Sequence, residues 1–99
     1  MLSQKLFYSH GTHTAALAVG EKYGLATKAK IVAVKVLNDA GTGWLSDVIS
    51  GVEWASCRRA RTRKPSIANL SLAAPVSPTL DAVVANVRHC ILCLNQQQC

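Results

Sequence analysis

Ninety-nine residues, 49% of them hydrophobic and 16% charged, suit one small globular domain rather than a disordered chain. The formal charge of +6 is concentrated, because Arg58, Arg59, Arg61, Arg63 and Lys64 supply five of the eleven basic residues within seven positions. No apolar run reaches the roughly eighteen residues of a membrane span, and Met1–Tyr8 is too short and too polar for a secretory leader, so neither a membrane partner nor an export signal is expected.

In chain order, Thr12–Val19 is Ala, Leu and Val on every side and has no polar face. A helix apolar all round belongs inside a larger body. Lys30–Leu37 is a β-branched run of strand length with Lys35 as its one interior charge. Asn38–Gly43 has the composition of a loop. Ser46 offers an N-cap, Asp47 sets a negative charge at the positive end of a helix dipole, and Val48, Ile49, Val52 and Ala55 continue a helix to about Arg59.

Ser66–Leu72 predicts a second strand, entered from Pro65. Pro78-Thr79 opens a third helix through about Val87, and Ile91–Leu94 predicts a third strand. Alternating helices and strands imply an α/β fold with parallel strands and crossover helices. About three strands and three helices are expected, as an incomplete set.

Cysteines stand at positions 57, 90, 93 and 99. Cys90 and Cys93 form a C-x-x-C, but no second pair completes the four ligands of a structural zinc site. A few free thiols, partly buried in a strand, are expected, with no metal and no cofactor.

The most suggestive cluster is His10-Gly11-Thr12-His13 at the mouth of the apolar helix. A buried imidazole needs partners for its nitrogens, so two histidines there require a reason. Their spacing lacks the Glu and the i, i+4 pairing of a zincin helix. On spacing alone, a hydrogen-bonded pair at a helix terminus explains them.

Ser9-His10-Gly11-Thr12-His13-Thr14-Ala15 resembles the histidine signature of the subtilases, S/G-H-G-T-H-x-A-G. The likeness continues in order through Tyr23–Ala26, Ala29–Leu37, Gly41–Gly43, Ser46–Ala55 and Lys64–Leu72. It covers residues 9–87, and it is most similar to the proteinase K-like branch. The resemblance implies part of a subtilisin-like parallel sheet, with residues 1–8 as an upstream remnant and 88–99 as a divergent tail.

It also implies a role for His10. The first histidine of the family's motif takes the proton of the serine hydroxyl while a buried Asp orients the ring. His13 would support the helix start. Family members hold substrate as an extended strand between two segments. Gly41, Thr42, Gly43 and Leu45 match one wall, and Ser71, Leu72 and Ala73 the other. The implied partner is a peptide or protein substrate of the complete enzyme. Family members are secreted or vacuolar, which leaves the compartment of this chain undetermined.

Several departures bear on activity. Only nine residues precede His10, which leaves no room for the family's D-T/S-G, and no G-T-S-M-A occurs among the 99 residues. Asn95 does not sit in the setting of the oxyanion asparagine. Ala73 and Ala74 replace two glycines of the substrate wall. A base without a nucleophile has nothing to deprotonate, so this polypeptide is expected to be inert alone. The change of pattern at Arg88 and the Gln96-Gln97-Gln98-Cys99 ending suggest a truncated, misspliced or frame-shifted product.

Two rivals come from other classes. The first is a nucleic-acid-binding module built on Arg58–Lys64. That cluster has no aromatics between its cations, which favours a solvated loop and no nucleic-acid partner. The second is a small metal-binding protein using His10, His13, His89, Cys90 and Cys93.

Overall fold

In the computed structural model, residues 10–87 and the backbone of residues 92–95 are described. Helix α1 is His10–Val19, α2 is Leu45–Thr62, strand β1 is Ile67–Leu70, α3 is Pro78–Val87 and β2 is Leu92–Asn95. The chain divides into two compact units. One ends at Ala33 and adds Asn38–Thr42, and the other joins Val34–Leu37 to the chain from Gly43 onward.

In the first unit, α1 buries none of its residues, and Leu17 is 56% exposed. This is the apolar helix without a polar face that the sequence predicts, here with its sides in solvent. Thr14 Oγ1 donates to the Gly11 carbonyl at 3.0 Å, and the chain folds back at its end through Ala26 N–H to the Ala18 carbonyl at 2.9 Å.

The second unit holds the core. Val48 on α2 meets Leu80 and Val84 on α3, and Val36, Ile49, Leu72 and Ala74 pack around them. Gly51 is buried on the same side of α2. A Cβ on it would stand 2.5 Å from Val36 Cγ1 and 3.1 Å from Val34 Cγ1, so only glycine lets residues 34–37 lie this close to the helix.

Strands β1 and β2 pair in parallel, Ile67 opposite Leu92 through Leu70 opposite Asn95, with α3 as the crossover between them. This β–α–β arrangement is the α/β character expected from the alternation of elements. Of the three expected strands, those at 66–72 and 91–94 appear as β1 and β2, and among the described residues the first, Lys30–Leu37, does not form. Residues 30–37 carry no ladder, although their composition suits a strand. β-propensity reflects packing on neighbouring strands, and among the described residues this run has none beside it. Lys35 instead donates its Nζ to the Leu37 carbonyl at 2.7 Å.

Helix ends also differ from expectation. Trp44, not Ser46, precedes α2. It is extended at φ −83° and ψ 143°, and it has no side-chain cap. Its carbonyl accepts from Asp47 N–H at 3.0 Å and Val48 N–H at 3.3 Å, which closes the first turn and places Ser46 inside the helix. At the other end α2 runs past Arg59 to Thr62 and stops at Arg63, whose φ of 52° is left-handed. That conformation costs a side-chain-bearing residue about 1–2 kcal/mol and is one glycine adopts freely. Helix α3 matches the expected Pro78–Val87, with Ser77 Oγ accepting from Leu80 N–H at 3.3 Å ahead of Pro78 in the first turn.

Leu25, Val76, Trp44 and Tyr23 are 97%, 93%, 78% and 74% exposed. Apolar surface on this scale calls for further protein to cover it. Calorimetry of the 99-residue chain alone should therefore give a broad, non-cooperative melt, and a sharp reversible transition would contradict this. Gly51→Leu forces a branched side chain against Val34 and Val36, an overpacking of about 1–3 kcal/mol. Amide protection across Val48–Ala55 should fall at least fivefold by hydrogen exchange.

Candidate functional site

His10 opens α1, and His13 follows one turn later. Both are exposed, and among the described residues neither imidazole has a hydrogen bond or an ion pair. The expectation of hydrogen-bonded histidines at a helix terminus is therefore not met among the described residues, and both rings are exposed.

Gly41 and Thr42 belong to the same unit as His10. They sit in a turn organised by one side chain, Asn38. Its Oδ1 accepts from Ala40 N–H at 2.9 Å and from Thr42 N–H at 3.1 Å, and its Nδ2 donates to Thr42 Oγ1 at 3.0 Å. Its backbone N–H donates to the Thr42 carbonyl at 2.7 Å, and its carbonyl accepts from Gly41 N–H at 3.0 Å. Gly41 at φ 76° is in the left-handed region that this closure needs. The sequence marks the stretch as a loop. That Asn38 alone staples it was legible only as the tendency of Asn to bond its own backbone two residues on.

Gly43, Leu45, Ser71, Leu72 and Ala73 belong to the other unit. Leu45 is the first residue of α2 and 37% exposed. Ser71 follows β1 and takes a hydrogen bond from Asn69 Nδ2 at 2.8 Å. Leu72 is half-buried against the Val48–Leu80–Val84 cluster, while Ala73 is exposed. The core thus anchors the Ser71–Ala73 segment through Leu72 and leaves its next residue open to solvent.

Cys57 is a free, exposed thiol on α2, not a buried strand residue. Among the described residues no group of three His, Cys, Asp or Glu side chains gathers into a metal site. His89, Cys90 and Cys99 lie outside the described residues, as does the side chain of Cys93. No described helix is long and apolar enough to cross a membrane. Sequence reading missed an aromatic partner of the basic cluster. Arg58 lies over the Trp54 ring at 5.7 Å, four residues away on the same helix.

Comparison with known proteins decides the family. The subtilase family profile matches residues 3–96. The chain belongs to the subtilase family. The match reaches past both ends of the 9–87 stretch on which the motifs stand. The chain is 44% identical over 86 residues to the subtilisin-like serine protease Pen c 2 of Penicillium citrinum, covering 76% of this chain and 19% of that protein. It is 48% identical over 81 residues to the subtilisin-like serine protease Pen ch 13 of Penicillium rubens, covering 79% of this chain and 20% of that protein. Subtilisin-like protease 8 of Arthroderma benhamiae is 43% identical over 86 residues, with 76% of this chain and 18% of that protein covered. This subtilase chain therefore spans about a fifth of the length of the curated relatives it matches.

Asn38→Ala removes the Oδ1 acceptor of the Ala40 and Thr42 N–H groups from the turn that carries Gly41 and Thr42. An exposed side chain–backbone bond is worth about 1 kcal/mol, so amide exchange at Ala40 and Thr42 should quicken about fivefold while α2 is unaffected.

Proposed function

We propose that these residues form the general-base portion of a subtilisin-like serine endopeptidase, acting on peptide or protein substrates when joined to the rest of such a domain. The observation that carries this is the family match, which includes His10-Gly11-Thr12-His13, with relatives named as serine proteases at 44–48% identity. His10 accepts the proton of a serine hydroxyl as that oxygen attacks the scissile carbonyl, and returns it to the leaving amine. Its exposed, unpartnered ring is compatible with both an orienting Asp and the serine coming from protein outside the residues described here.

On this reading Gly41, Thr42, Gly43 and Leu45 form one wall for an extended substrate, and Ser71, Leu72 and Ala73 form the other. Backbone groups in such walls give affinity by adding the peptide as a strand. β1 and β2 are then two neighbours within a larger parallel sheet, which would need further strands and helices on both faces. That requirement agrees with α1, none of whose residues is buried, and with the exposed Trp44 and Val76. As a 99-residue polypeptide the chain holds a base without a nucleophile, so it hydrolyses no peptide.

A chimaera tests the assignment. With residues 9–87 replacing the matching segment of a complete Penicillium relative, peptidase activity should be retained, and His10→Ala within it should cut kcat by about 10⁶-fold, the scale of loss when a subtilisin loses its histidine. A chimaera whose turnover survives His10→Ala unchanged would refute the role. The unfused 99-residue chain should not react with a serine-directed fluorophosphonate.

The exposed Ala73 offers a second measure. Its methyl lies where substrate backbone would pass, so Ala73→Gly in the chimaera should lower KM several-fold with kcat nearly constant. An unchanged KM would remove Ala73 from the wall.

A further inference from the structure

None of the residues assigned above to the base or to the substrate walls belongs to the basic end of α2. Arg58, Arg59 and Arg61 lie in the last turns of the helix, Arg63 caps it, and Lys64 follows. All but the half-buried Arg59 are exposed. Among the described residues none of the five has a carboxylate partner. The acids of this unit are Asp47, Glu53 and Asp81. Glu53 has Ser56 and Cys57 at the i+3 and i+4 positions where a helical ion pair forms, so the spacing keeps it off the arginines. Asp47 is at the far end of the same helix.

The helix itself does not require so much charge. Its C-terminal dipole amounts to about half an elementary negative charge, and five cations exceed that about tenfold. Arg58 and Arg61 are three apart, a like-charge spacing that opposes the helix. Arg63 holds a left-handed φ of 52° where glycine is the easier residue. Arg59 Nε is buried with no acceptor. Apart from the Trp54 ring beneath Arg58, the described residues offer these exposed cations no counter-charge, and an external anion would relieve their mutual repulsion.

We infer that the C-terminal end of α2 is a binding patch for a linear, base-free polyanion, a chain of sulfate or phosphate groups engaged by Arg58, Arg61, Arg63 and Lys64. Three of these four are arginines, whose planar forks bind tetrahedral oxyanions through paired N–H donors. Trp54, Arg58 and Arg61 fall at spacings of four and seven residues, so both guanidinium groups share one helix face.

Nucleic acid fits less well. Single strands are held by bases stacking on free aromatic faces. The ring beside this cluster, Trp54, already carries Arg58 at 5.7 Å. Residues 54–64 also contain no Asn or Gln to read a base edge. An anionic membrane would call for an apolar helix face turned outward. The apolar residues Val48 and Val52 of α2 are instead buried.

The test uses the full 99-residue chain, with long-chain polyphosphate and highly sulfated heparin as probes at several salt concentrations. Arg58→Gln/Arg61→Gln/Arg63→Gln takes the net charge from +6 to +3, and so does Lys22→Gln/Lys28→Gln/Lys30→Gln, away from the cluster. The arginine triple variant should bind at least tenfold more weakly with a shallower salt dependence, whereas the lysine triple variant should change less than threefold. Equal losses in the two would overturn the site, because net charge alone would then explain binding. Tighter binding to polyphosphate identifies a phosphate polymer and tighter binding to heparin a sulfated glycan. An oligothymidine of matched charge binding as tightly as either would overturn the base-free assignment. Far-UV spectra of both variants separate lost binding from lost helix.

Discussion

The seam between α2 and α3 holds the second unit together. Val48 from one helix and Leu80 and Val84 from the other form its centre. Everything positioned in that unit refers back to it. Leu72 packs on the cluster and so fixes the chain as it leaves β1. Val36 packs from the other side, at a distance that Gly51 alone allows. Burying each such side chain contributes on the order of 1.5–3 kcal/mol, and with five buried hydrophobic residues among those described, the margin over conformational entropy is narrow.

Much of the architecture could be read from pattern, because pattern reports local physics. Pro78 with Ser77 before it specifies a helix start by stereochemistry and capping, and α3 begins there. Apolar residues at helical spacing from Val48 give the buried face of α2. The run at 30–37 failed because a strand is a relation between segments, and composition cannot supply the neighbour. Ser46 failed as a cap because a backbone turn at Trp44 satisfies the helix start before any hydroxyl is needed.

The site was legible to a different degree. The order of motifs from His10 to Leu72 carries the family, and the family profile agrees. What each wall residue touches could not be read, because Asn38 organises its turn through contacts that leave no periodic trace. The Trp54–Arg58 contact has a sequence signal in its four-residue spacing, easily overlooked because the aromatic lies before the charged cluster rather than within it.

The parallel pairing of β1 with β2 also bears on how the chain acquires its structure. Twenty-one residues separate Leu70 from Leu92. Closing a loop of that length costs about 2.7 kcal/mol beyond a constant term, and the crossover helix shortens the search further. The ladder therefore depends on neighbours close in sequence and can assemble before anything distant arrives. A folding polypeptide would have this β–α–β unit as a locally closed nucleus, independent of the segments before Leu45.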